Sequence, residues 1–211
     1  MSEAITQPFG KLPIEWSYQP VVDNAEFLTG PAFDSTKFNT DGIGSRLVRG
    51  INLTKGTTRW SEDKTKYWAE VSSDLERYVL AEGDVLIGMD GSLVGQNYAH
   101  LKQSDLPALL VQRVARLRSK QTFDPSFLFN IFATDSWLTY VELVKTNSGI
   151  PHISNGDIKQ FLIPFPPLPE QQKIAAILTS MDNVIESTQA QINKLQDLKT
   201  GMMQELLTKG I

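Results

Sequence analysis

An α+β fold in two parts is predicted for this chain of 211 residues: one globular mixed-sheet domain over residues 1–168, and one long C-terminal coiled-coil helix over residues 169–211. Three observations lead there. Short apolar runs, alternating or continuous and bounded by Gly, Pro, Asp and Asn, recur through the first part as strands do. A single stretch near residues 124–144 carries a helical apolar period. After Pro169 no proline interrupts the chain, and apolar residues fall in steps of three and four to its end.

Composition narrows the function classes. A hydrophobic content of 41% supports one substantial core, with about forty residues to spare for an extension. The chain has no cysteine and two histidines, which argues against disulfides, a thiolate zinc site or a histidine-rich metal centre. Its start, MSEAITQPFGKLP, has no basic region followed by an apolar run, and no apolar stretch is long enough to span a bilayer. A cytoplasmic protein with no membrane contact is expected. The net charge of −4 argues against a free-standing nucleic-acid binder, so any such contact must come from a local patch or be helped by a partner.

In chain order, residues 11–16 (KLPIEW) are a short anchor, with Trp16 packing on the domain, and residues 18–27 are a short strand or helix. A loop rich in Gly, Pro, Asp and Asn follows to residue 44. Residues 45–52 (SRLVRGIN) alternate as a strand, and residues 52–66 are a polar loop with Lys55, Thr57, Thr58, Arg59, Lys64 and Lys66 salted by Glu62 and Asp63. This loop is either a solvated surface or a nucleic-acid contact. Residues 79–92 (VLAEGDVLIGMDGS) give a turn at Glu82, Gly83 and Asp84, a buried strand, and a glycine-rich loop with Asp90, Ser92, Gln96 and Asn97 on or after it. The loop lacks the GK[ST] ending of a phosphate loop.

Residues 109–120 read as a strand with Arg116, Arg118 and Lys120 on one face, either solvated or set against phosphate. Phe127, Leu128, Ile131, Trp137, Leu138, Val141 and Leu143 supply the core face of a helix, filling the interior rather than stacking on bases. Residues 146–157 are dense in small polar side chains. Asn147, His152, Ser154 and Asn155 there can meet base edges or phosphates, or can cap a structural turn. Residues 158–163 read as a short strand, and residues 164–169 (PFPPLP) as a stiff connector.

The last element has a heptad seam at Leu178, Met181, Ile185, Ile192, Leu195, Met202 and Leu206, interrupted by Thr188 and Lys199. A second register through Ile174, Ile177, Val184 and Leu198 widens it. A helix over residues 170–208 is about 58 Å long, beyond what a small domain covers with its own surface. A partner helix is the natural cover. The expected dimerisation surface is Ile174, Ile177, Leu178, Met181, Ile185, Thr188, Ile192, Leu195, Leu198, Met202 and Leu206.

Residues 148–178, SGIPHISNGDIKQFLIPFPPLPEQQKIAAIL, followed by the heptad helix, resemble the junction of a target recognition domain with its spacer helix in the specificity subunits of type I restriction-modification systems. KLPIEW resembles that family's domain-opening LP-x-x-W segment, and LAEGDVLIGMDGS its GD-strand and small-residue loop. The resemblance covers nearly the whole chain, most specifically residues 149–178 and most loosely residues 28–75.

The resemblance implies a non-catalytic chain that reads double-stranded DNA beside modification subunits, which bring S-adenosylmethionine and adenine methylation, and often beside restriction subunits. No cofactor is expected on this chain, which shows no Asn-Pro-Pro-Tyr-like and no glycine-rich cofactor motif. Ordinary members carry two recognition domains and two spacers, whereas this chain holds one of each and resembles a half-subunit. Two copies paired through antiparallel helices would form a homodimer and read an interrupted palindrome. A helix of about 58 Å caps the half-site separation at about 17 base pairs.

The DNA-contacting set expected on this basis is Arg49, Asn52, Lys55, Thr57, Thr58, Arg59, Asp90, Ser92, Asn97, Asn147, Ser148, His152, Ser154 and Asn155. Two other classes compete with this one. One is a coiled-coil scaffold or adaptor whose head binds protein. The other is an autonomous enzyme centred on Asp90 and Ser92.

Overall fold

The computed structural model describes residues 3–146 and 149–210. The chain divides into two compact units, residues 1–172 and residues 173–211. In the first, the strands are β1 (Ser17–Pro20), β2 (Ala25–Thr29), β3 (Ser45–Val48), β4 (Lys55–Gly56), β5 (Tyr67–Trp68), β6 (Val85–Gly88), β7 (Tyr98–His100), β8 (Ala108–Leu110), β9 (Val114–Ser119) and β10 (Leu162–Phe165). The helices are α1 (Glu3–Thr6), α2 (Val21–Asn24), α3 (Pro125–Phe132), α4 (Asp135–Val144), α5 (Asn155–Gln160) and α6 (Leu168–Lys209), which continues through the second unit.

The sheets are mixed. A five-stranded sheet runs β2-β9-β6-β7-β4, antiparallel except for the parallel β4·β7 pair. A three-stranded sheet, β5-β3-β8, joins antiparallel and parallel pairs, and β1 pairs with β10 alone. Every residue of β6 is buried, as its continuous apolar run requires. Leu53, Leu80, Leu86, Ala99, Leu101, Leu110 and Val114 form one core between the sheets. Phe132, Trp137, Tyr140 and Phe161 form an aromatic cluster under the helices, with Phe132 and Trp137 edge to face at 4.9 Å.

Several local expectations are corrected. Residues 18–27 hold β1, α2 and the start of β2, because Pro20 opens a single turn of helix before the chain extends again. The strand expected over residues 45–52 ends at Val48 and gives way to a 3-10 turn at Gly50–Asn52. Residues 109–120 are two strands, split by a turn in which Arg113 takes φ 68°, a region that favours glycine.

The helical stretch near residues 124–144 breaks at Ala133, and Thr134 caps α4 by accepting from the Trp137 N–H. Leu143 is half exposed rather than part of the core face. Residues 158–160 are helix rather than strand, because Ser154 and Asp157 form a capping box that starts α5, and the strand begins only at Leu162. The proline-rich connector is short: Pro164 pairs with Tyr18 in β10, and Pro169 lies in the first turn of α6, where its missing N–H costs nothing.

Candidate functional site

Three stretches meet at a cleft of about 730 Å³ in the first unit. One wall runs from Arg49 to Arg59, the second from Asp90 to Asn97, and the floor and rim include Val111, Gln112 and Arg113, with Phe33 and Phe38 at one side.

The first wall is pinned from beneath. Asn52 is fully buried; its amide donates to the carbonyls of Arg59 and Lys64 at 3.3 and 3.2 Å and accepts from the Arg49 N–H at 3.2 Å. Asp105, also buried, accepts from the Thr58 hydroxyl at 2.6 Å, the Trp60 indole at 2.7 Å and the Lys102 N–H at 2.8 Å. Between these anchors, Lys55 and Arg59 are left exposed at the cleft. Arg59 donates to the carbonyl of Ile51 at 3.1 Å. Arg49 donates to the carbonyl of Lys64 at 2.6 Å, while its buried Nε has no partner among the described residues. Burial pushes this guanidinium below its ordinary pKa.

The second wall leaves β6 and is tied to the 149–153 stretch. Gly91 N–H donates to the carbonyl of Pro151, Ile153 N–H to that of Met89, and Asp90 and His152 bridge through their main chains. The Arg113 guanidinium stands 3.7 Å from the Asp90 carboxylate, and its carbonyl accepts from the Met89 N–H. Arg49, Lys55, Arg59 and Arg113 thus outnumber Asp90, the carboxylate among the described lining residues. Although the chain is acidic overall, the cleft is locally basic and rich in amides from Gln96, Asn97 and Gln112.

Of the residues singled out in the sequence, the structure gathers Arg49, Lys55, Arg59, Asp90, Ser92 and Asn97 on this cleft. Asn52 is corrected to a supporting role, since it is fully buried with its amide engaged inside the domain, while Thr58 is half-buried with its hydroxyl donating to Asp105. Thr57 sits at an exposed turn, its hydroxyl 2.9 Å from that of Thr54. His152 is exposed, with Nδ1 2.8 Å from the Thr146 hydroxyl, and is joined to the second wall by its backbone.

Ser154 is also a structural residue: it caps α5, accepting from the Asp157 N–H at 3.1 Å. Asn155 is the exposed first residue of that helix. Asn147 and Ser148 lie outside the described residues. Sequence reasoning missed Ile51, Leu93, Gln112 and Arg113. No glycine or proline marked the Arg113 turn, so its stretch read as one strand.

The basic face expected over Arg116, Arg118 and Lys120 is largely engaged inside the domain, with Lys120 left exposed. Arg118 makes a two-pronged pair with buried Asp84 at 2.7 and 2.8 Å, which holds its pKa above the ordinary value. Arg116 is itself buried, and Lys120 donates to the carbonyls of Val22 and Asp23.

In α6, Ile174 is half-buried, while Ile177, Leu178, Met181, Ile185, Ile192, Leu195, Leu198, Met202 and Leu206 are exposed, Ile185 and Leu195 at 65%. Thr188 satisfies its hydroxyl on the Val184 carbonyl at 2.8 Å. No helix among the described residues is long and apolar enough to cross a membrane.

A family model described as the type I restriction modification DNA specificity domain matches residues 14–197. The chain belongs to this family. Among specificity subunits, that of the EcoAI type I restriction enzyme of Escherichia coli is 34% identical over 184 residues, covering 86% of this chain and 30% of the relative. The MjaVIII specificity subunit of Methanocaldococcus jannaschii is 26% identical over 216 residues, covering 95% and 44%. The crystal structure of the HsdS subunit from Thermoanaerobacter tengcongensis superimposes with a TM-score of 0.63 at 21% identity, covering 99% of this chain and 50% of that one, a likeness of fold. The chain therefore spans half or less of the length of these specificity subunits.

Proposed function

We propose that this chain is the DNA-reading half of a type I specificity assembly, directing an adenine methyltransferase to an interrupted, two-part site. The observation that carries this reading is the cleft where Arg49, Lys55, Arg59 and Arg113 surround the amides of Gln96, Asn97 and Gln112. Cations neutralise phosphates and fix register, while amides offer the paired donor and acceptor that base edges require. The rigid supports beneath Lys55 and Arg59 favour recognition over loose electrostatic attraction.

The chain works without catalysis of its own. Modification subunits supply S-adenosylmethionine and methyl transfer and help clamp the duplex, which offsets the net charge of −4, and restriction subunits join where cleavage is required. Two copies pair through the exposed seams of antiparallel α6 helices, and identical cleft residues then read identical half-sites on opposite strands.

Two measurements test this reading. Light scattering on the purified chain over a tenfold concentration range is expected to give a mass near twice 23.6 kDa. Mapping of methylated adenines made by the complex with modification subunits is expected to return an interrupted palindrome. A strict monomer at all concentrations would overturn the homodimer, and methylation indifferent to sequence would overturn the recognition role.

A further inference from the structure

Six large apolar side chains line the cleft, and four of them have work inside the domain. Leu53 and Val111 are buried in its cores. Phe33 and Phe38 pack against the Leu47, Leu109 and Val111 core and make T-shaped contacts with Trp68 at 4.9 and 6.4 Å. The other two, Ile51 and Leu93, are 48% and 50% exposed.

Neither is on loose backbone. Ile51 stands on the 3-10 turn clamped by buried Asn52, and its own carbonyl accepts from Arg59 at 3.1 Å. Leu93 stands where its carbonyl accepts the N–H groups of Gln96 and Asn97 at 2.9 and 3.1 Å. The fold thus holds two branched aliphatics at fixed places on opposite walls of the cleft, each with about half of its surface left in water.

Their setting decides between occupants. A protein partner is best served by a continuous apolar patch with few charges at its centre. Here the aliphatics are interleaved with Lys55, Arg59 and Arg113, a surface suited to a polyanion. The major-groove edge of duplex DNA carries one apolar group, the 5-methyl of thymine, which every other base edge lacks.

We infer that Ile51 and Leu93 are specificity-determining residues that read thymine through its 5-methyl group, so each half-site of the target contains a thymine on the strand facing them. This inference rests on the DNA-reading function proposed above. The cations beside them set the register, and the aliphatics then reward a methyl at one place and leave cytosine or uracil there without a contact.

The test uses the full chain with modification subunits and a pool of randomised duplexes. Bound duplexes are sequenced, and the thymine recovered in each half-site is then replaced by deoxyuridine, which removes only the methyl. The expected loss is about fourfold in affinity per methyl. Ile51→Ala and Leu93→Ala are expected to lower affinity for the thymine duplex while narrowing the difference between thymine and uracil. Both residues are exposed, and unchanged circular dichroism checks that the variants fold.

Sequence-selective binding that ignores uracil substitution overturns this inference and leaves the DNA-reading function standing. If Leu93→Ala also weakens that binding, an apolar wedge between base steps replaces the methyl contact. A pool that returns no preferred sequence overturns both the inference and the function beneath it.

Discussion

Asp105 accepts from three donors, and the wall carrying Lys55 and Arg59 depends on it. Asp105→Ala is expected to cost about 2 kcal/mol, read as a lowered urea midpoint. Thr58→Ala, which removes one of the three, should cost about 1 kcal/mol and loosen the wall enough to weaken DNA binding measured by anisotropy. Lys55→Ala does something different: it should weaken binding to all sequences alike and reduce the slope of log affinity against log salt by about 1. Nothing local in the sequence tells these roles apart. Asn52 and Thr58 look like any polar loop residue, and the groups they bond to, the Lys64 carbonyl and the Asp105 carboxylate, lie 12 and 47 residues away. Lys55 and Arg59 could be singled out because exposed charge is the default for their type. Ile51 and Leu93 could not, because an apolar residue beside a strand reads as core.

At the scale of elements, α6 was legible because its apolar period recurs from Ile174 to Leu206 along a helix of 42 residues, far longer than chance phasing or a strand allows. The same reasoning failed on short elements. α5 is set by one capping box rather than by periodicity, and the apolar residues on both sides of Ala133 hide the break between α3 and α4. A solvent-exposed seam along a helix about 63 Å long makes its helicity depend on partners. Helical signal at 222 nm is therefore expected to rise with protein concentration over the range in which the mass doubles. Ile185→Asp combined with Leu195→Asp should abolish that rise and yield a monomer near 23.6 kDa by light scattering. Thermal unfolding of the first unit should be unchanged, since neither side chain lies within residues 1–172.

For the whole molecule, the α+β class and the division into sheet-bearing unit and long helix were readable from pattern alone, whereas the order of strands was not. β2 pairs with β9 and β3 with β8, contacts between distant segments that no local period encodes. If paired α6 helices set the distance between two reading heads, adding a heptad after Gln189 should lengthen the gap in the target by about 3 base pairs. Methylation mapping would show the new spacing with both half-sites unaltered. A last consequence follows from the pairing of β1 with β10, where Ser17 lies opposite Phe165 and the Trp16 indole donates to Glu170. The two ends of the stretch from Ser17 to Phe165 therefore lie side by side, as a plug has both pins on one side. A different sheet-bearing stretch could be exchanged across that junction without rerouting the helix that follows, so under the DNA-reading function proposed above a change of target would take one exchange rather than many substitutions.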